Sequence, residues 1–121
     1  MRMRPAQHLR RQSDIQAVRR QGSRVGCAAF TLWWKPRAEA GGLPRACFVA
    51  SGQAVGKAVQ RNRAKRRMRE VFRRNQNRLP ASCDLMMVAR PQVNQWPFDQ
   101  LERAFAAASA KIGSGPVSGA A

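Results

Sequence analysis

Between Ser13 and Gly22 the apolar residues fall at helical spacing: Ile15 and Val18 share one face, while Arg19, Arg20 and Arg24 stay within reach of solvent. Ser13 and Gln16 match a capping box, so a short helix is predicted over 14–20 with Ser13 as its cap and Gly22 as its stop. The pattern then changes to a period of two. Residues 28–35 (AAFTLWWK) are rich in aromatic and β-preferring types and end at Pro36, which predicts a strand with Phe30, Leu32 and Trp34 on one face and Thr31, Trp33 and Lys35 on the other. A loop with two prolines and Gly41-Gly42 (36–44) leads to a second strand over 45–51 (RACFVAS), predicted to pair antiparallel with the first. SGQAVGK reads as a polar turn. From Ala58 to Arg78 neither proline nor glycine occurs and helix formers dominate until Leu79-Pro80.

CDLMMVAR (83–90) is a continuous apolar segment, short enough for a strand buried on both faces. A last helix starts near Pro97 and carries Phe98, Leu101, Phe105, Ala108 and Ile112 on one stripe before Gly113; the small, polar remainder, 113–121, is predicted to be a disordered tail. Helix, strands, long helix, strand, helix is the order of one α+β domain with helices packed on a small sheet.

The long helix separates into two sides. At 100° per residue, Ala64, Met68, Val71 and Phe72 fall within an arc of about 100°, the width a helix needs to dock on a core. Arg61, Lys65, Arg69 and Arg73 climb one flank at four-residue spacing, with Asn62 and Arg66 beside them. These cations repel one another, and Glu70 is the one acid in the stretch, so the helix lacks the alternating pairs that stabilise a solvated surface helix. The bland alternative is a wet helix whose arginine stems cover apolar area.

Charge weakens that alternative. The chain has 23 Lys and Arg against 6 Asp and Glu, a net charge of +17, and most of the basic residues are arginine, whose planar fork grips phosphate through two donors at once. A balance so one-sided calls for a polyanionic partner, nucleic acid ahead of an anionic membrane surface. No apolar run approaches the ~20 residues of a membrane span, and the N-terminus lacks the apolar segment of a secretory signal. MRMRPAQHLRRQ has the composition of a transit peptide, but the segment after it reads as part of the fold. The expectation is a soluble cytoplasmic protein with no membrane association.

Cys27, Cys47 and Cys83 are scattered and odd in number, and His8 is the single histidine, which argues for buried, reduced thiols and against structural zinc. The sequence shows no close acid pair, P-loop, G-x-S-x-G or metal-ligand cluster, so no catalytic residue is assigned. Trp33 has two readings. A tryptophan in a strand is usually core, but Thr31 and Lys35 share its face, and a polar sheet face carrying an aromatic is how single-stranded nucleic acid is stacked and tracked.

The run Arg61-Asn62-Arg63-Ala64-Lys65-Arg66-Arg67-Met68-Arg69-Glu70 resembles the hallmark of the protein subunit of bacterial ribonuclease P, an Arg-Asn-Arg core followed by x-Lys-Arg and then Arg-Glu. The likeness continues in order from Leu9 to Ile112. It implies a two-layer α+β sandwich, a small mixed four-stranded sheet with three helices in the order αβββαβα, and a βαβ crossover of the rare left hand. It implies a single RNA-binding domain over 9–112 behind a flexible basic N-terminus, 1–8. It also implies a role: assisting a catalytic RNA subunit, with Mg2+ bound by that RNA, in removing the 5′ leader of precursor tRNA, as a monomer with one copy per RNA. By position, Arg61, Asn62, Arg63, Lys65, Arg66, Arg69 and Arg73 inherit contacts to the catalytic RNA, and Ile15, Arg19, Thr31, Trp33 and Lys35 line a cleft for the leader. Ile15 and Arg19 stand where the family commonly has phenylalanine, and Gly52 and Gln53 where it commonly has lysine, which shifts leader contacts toward charge and Trp33. A ribosomal or RNA-chaperone protein, and a DNA-compacting protein, are the competing functions.

Overall fold

The computed structural model describes residues 7–36, 43–79 and 82–120, with side chains to residue 112. The elements are α1 (Gln12–Gln21), β1 (Ser23–Gly26), β2 (Phe30–Pro36), β3 (Arg45–Val49), α2 (Gly52–Val55), α3 (Ala58–Asn75), β4 (Cys83–Ala89) and α4 (Phe98–Ala120). Apart from the four-residue α2, this is the expected order on a four-stranded mixed sheet.

Strand neighbours differ from the expected hairpin. The sheet runs β1-β2-β4-β3: β2 and β3 point in opposite directions as predicted, but β4 lies between them, antiparallel to β2 and parallel to β3. The reason is burial. β4 is buried at every position except the half-buried Val88, and a strand covered on both faces belongs in the centre. The hairpin in the molecule joins β1 to β2 through residues 27–29, with Arg24 opposite Trp33 and Gly26 opposite Thr31. β3 and β4 are adjacent parallel strands, and α2 and α3 make the connection between them.

Alternation along β2 divides the sheet as read. Phe30, Leu32 and Trp34 join Leu85, Met87 and Ala89 in the main core, against Ala64, Met68, Val71 and Phe72 of α3 and Leu101, Phe105, Ala108 and Ile112 of α4. Phe48 meets Phe72 edge-on at 5.9 Å between ring centres, and Phe30 packs against Phe105 at 6.3 Å. On the other face α1 covers a smaller cluster, Leu9, Val18 and Met86, with Ile15, Trp33, Cys47 and Val88 partly buried around it.

Several ends differ from the sequence expectation. α1 starts at Gln12, so Ser13 lies inside its first turn, and the flanking Arg11 gives no side-chain cap. Gly22 does end α1, through close approach: a Cβ there would lie 2.3 Å from the Val18 carbonyl oxygen and 2.4 Å from that of Trp34. The polar turn 51–57 contains α2, whose first turn is capped by Ser51 Oγ accepting from the Ala54 amide at 3.1 Å, and it leaves through Gly56 at φ 101°. The backbone of α4 continues past Gly113 to Ala120, although Gly113, Gly115, Pro116 and Gly119 are poor helix formers. The ordered domain also begins before Leu9. Gln7 is buried and its amide donates to Pro44 O and Gln76 Oε1, tying the N-terminal segment to both the β3 approach and the end of α3. Of the 1–8 segment, residues 1–6 lie outside the described residues. Only Cys83 of the three thiols is buried; Cys27 sits in the β1–β2 turn and Cys47 on the partly covered α1 face, and none of the three forms a disulfide.

Candidate nucleic-acid interface

Packing decides which α3 cations are available. With Ala64, Met68, Val71 and Phe72 all buried, Asn62, Lys65, Arg66 and Arg69 are directed to the outer side, where with Val59 they line a hollow of about 510 Å³. Among the described residues no carboxylate pairs with Lys65, Arg66 or Arg69. Val59 is 73% exposed at the end of this patch, an apolar contact beside the charges. The Arg69 guanidinium lies 5.5 Å from the Phe48 ring centre, which orients it over the β3 edge.

The remaining cations of α3 are placed apart from that hollow. Arg61 turns back to donate to Gly56 O at 3.3 Å, bracing the α2 turn. Arg63 lies on the opposite flank, next to Arg67. Arg67 points inward, donating to Val93 O at 2.9 Å and to Trp96 O; burial first, and then Arg63, hold its guanidinium below its ordinary value. Arg73 is engaged by Glu70, and its hydrogen bonds hold the Glu70 carboxyl below the usual carboxylate range. Asn62, Lys65, Arg66 and Arg69 are thus the predicted residues that form a shared surface, while Arg61, Arg63 and Arg73 flank it.

The second surface is the sheet face beneath α1. Ile15, Arg19, Thr31, Trp33 and Lys35 do converge on it. Ile15 packs in the small cluster with Trp33, and the Arg19 guanidinium carbon lies 5.6 Å from the Trp33 ring centre. Arg24, which the sequence did not single out for a site, lies 5.5 Å from the same ring. Lys35 sits opposite Asp84, whose carboxylate already accepts two hydrogen bonds from Arg45 at 2.8 Å each; Asp14 of α1 reaches Arg45 at 3.6 Å. This acid-base chain fixes α1 to β3 and β4, so charge at the Lys35 end is largely compensated and the Trp33 end is the more cationic.

Between the two surfaces, His8, Arg10, Arg11, Asp14 and Arg45 line a further hollow of about 500 Å³. His8 is bridged to Ala46 on the β3 edge, and burial, Arg10 and Arg69 together lower its pKa below the ordinary histidine value. That Arg69 acts on His8 means that basic residues continue from the α3 flank around the β3 edge to α1. Motif spacing gave no sign of this link, because His8, Arg10 and Arg45 come from segments that meet only through the sheet. Cys47, on the same face, is pushed up to about 11 by burial and then by Asp84, so it is a neutral thiol at physiological pH.

A cationic flank on a docked helix, together with a polar sheet face carrying a guanidinium-flanked tryptophan, defines an RNA-binding α+β protein. Residues 3–113 match the family model described as Ribonuclease P. The chain is 40% identical over 101 residues to the "Ribonuclease P protein component" of Chloroflexus aggregans, covering 83% of this chain and 73% of that protein. It is 43% identical over 93 residues to the component of the same name from Syntrophobacter fumaroxidans, covering 74% of each. The Staphylococcus aureus RNase P protein superposes with a TM-score of 0.72 at 22% identity (88% of this chain, 96% of that one), and the Thermotoga maritima RNase P protein with 0.68 at 24% (79% and 88%), likenesses that carry the fold. The chain belongs to the ribonuclease P protein family.

Proposed function

We propose that the α3 flank holds the catalytic RNA and that the α1-covered sheet face holds the single-stranded leader of precursor tRNA. Family membership makes the chain an RNA-binding protein component of the ribonuclease P ribonucleoprotein, part of the holoenzyme whose endoribonuclease activity matures the 5′ end of tRNA. This sets aside the ribosomal, RNA-chaperone and DNA-compacting readings. The finer division of labour rests on one observation: Asn62, Lys65, Arg66 and Arg69 share a rigid outward surface without carboxylate partners among the described residues. Such cations neutralise phosphates and release the counterions condensed on the RNA. Trp33, half-buried between α1 and β1, supplies a ring for the unpaired bases of a leader.

In this reading the chemistry belongs to the RNA subunit with its Mg2+, and the protein binds, orients and neutralises charge. One protein serves one RNA, in the cytoplasm; no helix among the described residues is long and apolar enough to cross a membrane. The test mixes purified protein with the cognate catalytic RNA and Mg2+ at physiological salt. Tight binding of that RNA and faster leader removal are expected; absence of both would overturn the reading.

A further inference from the structure

Beyond Trp33, at the turn end of the sheet, Arg24, Gly26, Cys27, Ala28, Thr31 and Arg90 line a hollow of about 330 Å³. We propose that Arg24, Thr31 and Arg90 form a phosphate subsite for a single RNA strand, one step further along the sheet than the tryptophan. The inference rests on the leader cleft proposed above and adds to Thr31 two residues, Arg24 and Arg90, and a ligand group that the motif resemblance does not assign.

Three observations carry it. Thr31 and Trp33 share a face of β2 and stand two residues apart, about 6.8 Å along the strand, a separation comparable to one nucleotide step of an extended chain. A base on Trp33 therefore puts the neighbouring phosphate close to Thr31. Next, Arg24 belongs to both places: it is the register partner of Trp33, with its guanidinium 5.5 Å from the ring centre, and it lines the hollow with Thr31. A stacked base and Arg24 compete for the ring, so an arriving strand frees a bidentate donor beside the site its phosphate would occupy. Finally, Gly26 faces Thr31 across β1 and β2, and a Cβ there would stand 3.2 Å from Thr31 Oγ1. The glycine keeps the hydroxyl open. Arg90, held by its backbone amide to Ala29 O at 2.9 Å, supplies a second guanidinium from the opposite wall, and no carboxylate lines the hollow.

The experiment uses the reconstituted holoenzyme and precursor tRNAs that differ only in leader length, with mature tRNA as the leaderless reference. Arg24→Gln and Thr31→Val should each weaken binding roughly tenfold once the leader is long enough to pass Trp33, and leave shorter leaders and mature tRNA unaffected. Arg24→Gln should also lower the slope of log affinity against log salt by about 0.7 for long leaders, the contribution of one single-strand phosphate. Gly26→Ala, which keeps every charge but crowds the hydroxyl, should act in the same direction. Arg103→Gln, an equal loss of charge on the far α4 surface, should show no length dependence. Equal losses at all leader lengths, or losses no greater than for Arg103→Gln, would overturn the subsite. If Trp33→Ala removes leader-length dependence while Arg24→Gln does not, the subsite alone falls; if length dependence survives Trp33→Ala unchanged, the cleft reading falls and the subsite with it.

Discussion

The α3 flank and the α1-covered sheet face are both basic, but they obtain their charge in different ways. On α3 the cations stand on a helix whose opposite side is buried in the core, and Lys65, Arg66 and Arg69 meet no carboxylate among the described residues. On the sheet face the charges are interleaved with structure: Asp84 and Asp14 hold Arg45, Arg19 and Arg24 lie against Trp33, and Ile15 and Val18 cover part of the surface. The first arrangement suits a permanent partner recognised through phosphates. The second suits a strand that is captured and released, because contacts to Arg19, Arg24 and Trp33 replace existing intramolecular ones.

The sharpest separation of scaffold from surface is Phe72→Ala. Truncating this fully buried aromatic should cost about 3 to 5 kcal/mol of stability, seen in denaturant titration, and RNA affinity should fall only as far as folded protein is lost. Trp33→Ala should act on the other side of the comparison. It removes one stacking platform, weakening leader-dependent substrate binding by about 1 to 3 kcal/mol while leaving affinity for the catalytic RNA intact, as parallel titrations would reveal. Gly22→Ala tests the joint between α1 and the sheet; the carbonyls of Val18 and Trp34 stand too near for a Cβ, so its melting temperature should drop and the sheet face under α1 should be disturbed before the α3 flank.

The smallest effect is on His8, where the two surfaces meet. Because its folded pKa lies below the ordinary value, the unfolded chain takes up more protons across the window between the folded value and about 6.5, so its contribution to stability is present above that window and falls as pH drops through it. Stability curves of the wild type and His8→Gln over this range should converge at higher pH and separate at lower pH, with the variant less sensitive. Phosphates bound near Arg10 and Arg69 would offset their repulsion of a protonated His8, so RNA should protect the wild type against this loss.

How far the sequence reached depended on whether a feature was local. The docked arc of α3, the two faces of β2 and the stripe of α4 follow from periodicity and agree with burial, except that Phe98 at the start of the α4 stripe is only partly buried. Periodicity tells which way a side chain faces, not which strand lies beside it, so β4 between β2 and β3 was not legible from the loop and its two flanking strands. β1 was equally hidden: SRVG has too few apolar residues to show alternation, and without its register Arg24 could not be placed opposite Trp33. On α3 the motif put Arg61, Arg63 and Arg73 with the exposed cations, but the α2 turn, helix phase and Glu70 set them apart, since spacing records angle and not the carbonyl or carboxylate a long side chain will find. The Gln7 anchor was hidden for a similar reason, because its partners Pro44 and Gln76 lie far along the chain.

The central claim, that unpaired cations on a rigid α3 flank hold the catalytic RNA, is tested most directly by Arg66→Ala. Affinity for that RNA is measured as a function of salt for wild type and variant, alongside their melting temperatures. The account predicts weaker binding, a salt slope reduced by about 1 and an unchanged melting temperature. Unchanged affinity and slope, or a fall in melting temperature matching that of Phe72→Ala, would contradict it.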